Sequence, residues 1–203
     1  PSAILNLGGV ANITWYDGQN LIGFDTGPAN GLIDIFMQKN FGKPYDFNGE
    51  VASKGIPNTK LIHKIIKDPF FVKKYPKSLD RLTFKKIFKD KEFLNLTDND
   101  AIATLTQLTI KSIIMSLDLL PEYPQSLIIV GGGENNSYII NNLRSKLNCD
   151  VIRAKDINLP GHMIEAEFIA FLAVRSLKGL PITFPNTTGV KMPSIGGKLY
   201  KNI

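Results

Sequence analysis

The sequence predicts an α/β lobe: a mixed sheet flanked by helices and interrupted by a helical insertion. Three observations predict it. The chain opens with β-rich segments around a hairpin signal. A later apolar run, Ser126 to Val130, passes directly into Gly131-Gly132-Gly133 and then into helical spacing. Between the two lies a long stretch whose apolar residues recur at helical intervals.

The first element is organised by Ile4 to Asn30. Asn6-Leu7-Gly8-Gly9-Val10-Ala11-Asn12 is apolar up to a glycine pair and apolar again after it, as when a strand enters a tight turn whose bare amides approach a phosphate. Asn12 to Tyr16 gives a second strand, Asp17-Gly18 a hairpin signal, and Leu21 to Phe24 a third strand, so the start is an antiparallel meander. Asp25-Thr26-Gly27-Pro28 then reads as a helix entry, with Asp25 or Thr26 as cap and Leu32, Ile33, Phe36 and Met37 at helical spacing. On the residues alone, these glycine corners fit ordinary turns as well as phosphate-facing ones.

The helical insertion spans about residues 43–96. Gly42 to Pro57 is a loop, Asn58 to Lys67 a helix ended by Asp68-Pro69, Pro76-Lys77-Ser78 a second break, and Thr83 to Leu94 one amphipathic helix. Thr97 to Leu119 is the longest helix, capped by Asp98 or Asn99 and stopped by Pro121. Ser126 to Val130 has the composition of a buried parallel strand, and the following glycines with Glu134-Asn135-Asn136 aim backbone amides and a helix N-terminus at one point. Asp150 to Ala154 is a further strand. Ile164 to Lys178 is a helix with Phe168, Phe171, Leu172 and Leu177 inward. The order βββ, α, insertion, α, β, α, β, α is the ribonuclease-H-like plan on which sugar kinases, actin and Hsp70 build each of two lobes around ATP. One such lobe accounts for residues 1–203.

Composition narrows the function classes. With 43% hydrophobic and 21% charged residues the chain is ordinary for a globular domain, no apolar run approaches membrane-spanning length, and no signal-peptide pattern opens it, so a cytoplasmic location is expected. The start without Met, already within a few residues of a strand, predicts an upstream portion. Cys149 is the only cysteine, which excludes an intrachain disulfide and a cysteine-based metal site and leaves it a bystander. His63 and His162 have no paired ligand set. Of the formal charge of +6, the segment Lys60 to Lys91 alone carries +8, interleaved with Phe70, Phe71, Tyr75, Phe84 and Phe88. Two readings compete, a nucleic-acid surface and amphipathic helices with lysines on the wet face. Helical spacing turns the phenylalanines inward, so no specific nucleic-acid partner is expected.

These residues also carry a resemblance. Asn6-Leu7-Gly8-Gly9-Val10-Ala11-Asn12, Phe24-Asp25-Thr26-Gly27-Pro28-Ala29-Asn30, Asp68-Pro69-Phe70-Phe71 with Pro76-Lys77-Ser78, Ala103-Thr104-Leu105-Thr106, Gly131-Gly132-Gly133 with Asn136, and Glu165-Ala166 with Phe168 resemble, in order, the C-terminal lobe of anhydro-N-acetylmuramic acid kinases. The resemblance implies a cell-wall-recycling enzyme that uses ATP and Mg²⁺ to open the anhydro ring of 1,6-anhydro-N-acetylmuramic acid and phosphorylate O6. It implies a phosphate- and Mg²⁺-facing set of Gly8, Gly9, Asn12, Asp25, Thr26, Gly27 and Asn30, with the ion ordered through water rather than bound directly. It implies adenosine contacts from Gly131, Gly132, Gly133 and Asn136 and a sugar contact from Glu165. The general base belongs to an N-terminal lobe outside these residues, so no catalytic residue is assigned, and the chain alone is expected to be inactive. A homodimer is expected. The alternative is an inactive remnant or split-gene lobe acting as an ATP-binding or dimerising module. Departures from the family pattern fall at Ala29, Leu79 to Leu82, His162 and Met163.

Overall fold

The computed structural model describes residues 1–159 and 164–200. Strand β1 (Ser2–Leu7) alternates strictly, with Ala3, Leu5 and Leu7 buried and Ser2 and Ile4 exposed. Strands β2 (Val10–Tyr16) and β3 (Leu21–Pro28) complete the meander. After the insertion come β4 (Ser126–Val130) and β5 (Asp150–Arg153), both parallel to β1, giving the sheet order β3-β2-β1-β4-β5. Three antiparallel strands followed by two parallel ones in that order is the ribonuclease-H-like plan, as expected.

The reading of Asp25 to Pro28 as a helix entry is corrected. The β2–β3 register shifts between Ala11 and Asn12, so that Asp25 stands opposite Asn12 and Gly27 opposite Ala11, leaving Thr26 as the extra residue of a bulge. The bulge carries the strand on to Pro28. Helix α1 (Asn30–Phe41) therefore starts behind Ala29, which offers no side-chain cap.

In the insertion, α2 (Thr59–Ile65) is capped by the Asn58 side chain. The expected single helix over Thr83 to Leu94 is corrected to a 3₁₀ segment (Thr83–Lys89) and a short helix α3 (Lys91–Leu94). Asp90 separates them because its carboxylate accepts the Glu92 amide and holds its own backbone extended. Helix α4 (Asp98–Leu117) is capped by Thr97, whose hydroxyl accepts the Asp100 amide, rather than by Asp98 or Asn99.

Helix α4 joins two cores. Ile110, Ile113 and Leu117 pack with the inward residues of the sheet and with Ile139, Ile140 and Leu143 of α5 (Ser137–Lys146). Ala101, Ile102, Leu105 and Leu108 pack with an aromatic-rich cluster holding Phe71, Phe84 and Phe93. Phe71 and Phe84 are buried and Phe70 and Phe88 partly so, which agrees with the inward reading of those rings.

Helix α6 (Ile164–Leu177) forms where expected, but the inward reading of its apolar residues is corrected: Phe168, Phe171 and Leu177 are exposed and Leu172 is only partly covered. The helix packs back on its own C-terminal strap, through Arg175 Nε donating to the Pro181 carbonyl, and not on the sheet core. The strap carries α7 (Pro185–Thr188), which lies by Gly23 on the edge strand β3, and an antiparallel bridge between Thr183 and Ser194. His162 and Met163 lie outside the described residues. Among those described, no helix is long and apolar enough to cross a membrane.

Candidate functional site

In a sheet with parallel strands, loops at the carboxyl ends share one edge, where ligands collect. Here that edge brings together the Gly8-Gly9 turn after β1, the start of α1, and the Gly131 to Gly133 turn after β4. The Ala29, Asn30 and Gly31 amides donate to the Gly9 and Gly8 carbonyls at 3.0–3.2 Å. Asn30 Nδ2 donates to the Leu7 carbonyl at 2.9 Å, which pins the helix start across β1.

The glycines divide by what surrounds them. Gly131 has φ +81°, and a side chain there would collide with Asn6 Oδ1. A Cβ on Gly133 would lie 2.5 Å from Leu7 Cβ and 2.9 Å from Asn30 Nδ2. Those two are required by the fold itself. Gly132 has nothing within 4 Å of an added Cβ, and Gly9 meets only Gly31 Cα at 3.9 Å. Packing leaves both positions open to side chains, so their bare backbone faces free space.

Gly132 borders a cleft of about 760 Å³, together with Asn30, Asp34, Gly133, Asn136 and Lys155. Tyr45 and Phe47 stand on its rim, exposed, with ring centroids 6.5 Å apart. Asp46 is buried with both carboxylate oxygens committed to the Val51 and Ala52 amides at 2.9 and 3.0 Å. Asp34 has no hydrogen-bond partner among the described residues, and burial pushes its carboxyl up to about 6. Lys155 Nζ donates to Asn135 Oδ1 at 2.9 Å, and its amide donates to the buried Glu134 carboxylate at 3.2 Å. Asn136 caps α5 by accepting the Ile139 amide at 3.1 Å, so its carbonyl oxygen is committed and its NH₂ group is the part left for a ligand.

The structure thus gathers Gly8, Gly9, Asn30, Gly131, Gly132, Gly133 and Asn136 at one edge. Asn12, Asp25, Thr26 and Gly27 lie on the paired strands β2 and β3, with Asn12 opposite Asn6 of β1. Asn12 and Asp25 pair in register on the sheet face opposite the core. Asp25 Oδ2 accepts the Leu79 amide at 2.6 Å, while its own amide donates to the Lys77 carbonyl at 3.1 Å. Burial raises the Asp25 carboxyl, opposed by the Leu79 bond and the Lys77 charge. The Lys77 ammonium is itself buried. It donates to the Phe70 carbonyl at 2.9 Å and lies 4.5 Å from the centre of the Phe70 ring, and burial lowers it to about 8. Thr26 is buried and donates to the Ala11 carbonyl. Gly27 abuts α4, where a Cβ would meet Ser112 Oγ at 2.6 Å. Thr26 and Gly27 are thus enclosed by protein. Glu165 lies at the start of α6, and its side chain is outside the described residues.

One departure from the family pattern gains a local account. Leu79 meets Asp25 through its backbone amide, which a side-chain change leaves in place.

Sequence reasoning missed Tyr45, Phe47 and Lys155, and gave Asp34 no binding role. The signal for the rings was two aromatics inside a polar, glycine-containing loop, an unusual place for them unless they meet a partner. Among the described residues no three metal-ligating side chains cluster.

Comparison with known proteins adds the family. The family model described as anhydro-N-acetylmuramic acid kinase matches residues 1–202. The chain is 42% identical over 199 residues to the anhydro-N-acetylmuramic acid kinase of Brucella anthropi, covering 98% of this chain and 53% of that protein. It is 43% identical over 202 residues to that of Zymomonas mobilis subsp. mobilis, covering 98% and 54%. The chain spans about half the length of the curated relatives it matches. Among solved structures, an activator of 2-hydroxyisocaproyl-CoA dehydratase from Clostridium difficile with bound ADPNP has a TM-score of 0.48 at 14% identity, over 79% of this chain and 55% of that one.

Proposed function

The chain belongs to the anhydro-N-acetylmuramic acid kinase family, and on that premise we propose that it is the C-terminal, nucleotide-holding lobe of an ATP-dependent sugar kinase of the cytoplasm. The substrate is 1,6-anhydro-N-acetylmuramic acid. Water adds at the anomeric carbon, the bond from that carbon to O6 breaks, and O6 takes the γ-phosphoryl group, giving N-acetylmuramic acid 6-phosphate and ADP. An N-terminal lobe, in the same or a separate polypeptide, supplies the group that accepts the proton from water.

One observation carries the reading. Gly132 is bare where packing alone tolerates a side chain, and it lines a cleft of nucleotide size at the carboxyl edge of the sheet. In this lobe the Gly8-Gly9 turn brings backbone toward the phosphates. The Gly132 turn and the Asn136 NH₂ group hold the nucleoside, and the Tyr45 and Phe47 rings give the base an apolar rim. Asp34, rather than Asp25, is the carboxylate that fits Mg²⁺, held through water, because it is desolvated in the cleft and has no hydrogen-bond partner among the described residues. The ion, when bound, neutralises charge on the phosphates. Asn12 and the half-buried Asp25, on the sheet face away from the core, suit sugar hydroxyls, together with Glu165. The exposed apolar side of α6 supports a contact with the N-terminal lobe or with a second copy in a homodimer.

Calorimetry with ATP and Mg²⁺ tests the cleft. The chain binds the nucleotide, and Gly132→Asp, which adds bulk and charge where the ligand lies but nothing the fold resists, abolishes binding without lowering the melting temperature. Absence of binding by the unaltered chain rejects the nucleotide reading. Addition of the N-terminal lobe of a relative then restores sugar phosphorylation, which the chain by itself does not perform.

A further inference from the structure

The helical insertion holds a second cavity, of about 550 Å³, that shares no residue with the carboxyl-edge cleft. Its floor is apolar, made by the buried Phe84, Ile87 and Leu108 and the half-buried Ile65. Its rim is basic. Lys64 is tied to Asp90 at 2.7 Å and Lys86 to Asp68 at 3.5 Å, so these pairs are neutral walls. Lys67 and Lys89 have no carboxylate within ion-pair distance among the described residues. Two uncompensated ammonium groups therefore overhang a desolvated floor, in the segment that concentrates the positive charge of the chain.

From this geometry we propose that the insertion cavity is a binding site for a small anion carried on a flat apolar body, such as an aryl phosphate or aryl carboxylate. The apolar part packs on Ile65, Phe84 and Ile87, and the acid is neutralised by Lys67 and Lys89. An oligonucleotide suits the site poorly, since one cavity of about 550 Å³ admits a single ring system and gives no extended groove on which successive bases stack. The proposal does not depend on the kinase reading, because the cavity lies in another part of the lobe.

Amide NMR of the labelled chain tests it, with 1-naphthyl phosphate as probe and 1-naphthol and orthophosphate as the neutral and the body-free controls. The probe shifts amides of residues 64–68 and 84–90 with saturation, and added salt weakens it. Lys67→Ala with Lys89→Ala, both exposed side chains, reduces its affinity by about tenfold or more. The proposal is overturned if those amides do not move, if 1-naphthol or orthophosphate binds them as well as the probe, if the double variant binds unchanged, or if only residues 132–137 respond. ATP added to the same sample reports the other cleft through residues 132–137, so failure there is seen separately.

Discussion

Helices α4 and α6 are both rich in apolar residues, yet they end in opposite situations. In α4 thirteen residues are buried, from Ala101 to Leu117, and Thr104, Thr109, Ser112 and Ser116 turn inward to donate to carbonyls, as Thr109 does to Pro28 at 3.1 Å and Ser116 to Ile113 at 2.6 Å. In α6, Phe168, Ile169, Phe171, Val174 and Leu177 are exposed. Helical periodicity states which residues share a face. It does not state what covers that face, and for α4 two cores do so at once while for α6 these side chains stay exposed among the described residues.

The largest effect expected of this contrast is in α4. Ile113→Ala opens a cavity in the sheet core and lowers stability by about 2–5 kcal/mol, measured by denaturant unfolding. A next, smaller effect is at the contact between α4 and the bulged strand. Gly27→Ala forces a methyl group onto Ser112 and costs about 1–3 kcal/mol, and Ser112→Gly in the same chain recovers most of it. In α6, Phe168→Ser with Phe171→Ser changes stability by only about 0.5 kcal/mol but reduces self-association in light scattering. A loss as large as that of Ile113→Ala would break the comparison by showing these rings buried in solution. The smallest effect is titration at the cleft. Because burial raises the Asp34 carboxyl to about 6, the folded state holds a proton that the unfolded state has released. Stability therefore falls as pH rises from the ordinary carboxylate range to about 6, and Asp34→Asn removes that slope. The basic segment adds a check on its own account: oligonucleotide binding is weak, non-specific and lost as salt rises.

Much of the sheet was legible because its signals are local. The apolar run into Gly8-Gly9, the Asp17-Gly18 turn and the jump from Val130 into three glycines each need only neighbouring residues. What stayed hidden depended on partners distant in sequence. The reach of β3 to Pro28 rests on a bulge that only pairing with β2 reveals, and the break at Asp90 rests on one side chain outcompeting helical spacing. The glycine edge of the candidate site was legible. Its rim was not, since Tyr45, Phe47 and Lys155 come from segments about a hundred residues apart that meet only when the sheet is assembled.

The position of α4 has a consequence for how the lobe melts. Its Ile113 side belongs to the sheet core and its Leu105 side to the aromatic core, so neither core survives loss of the other's wall. The insertion and the sheet therefore unfold as one cooperative unit, with a single calorimetric transition and amides of α4 that exchange with solvent only when the whole lobe opens. Amides of α6 and its strap, which share little with either core, exchange far sooner, and a protease meets them first.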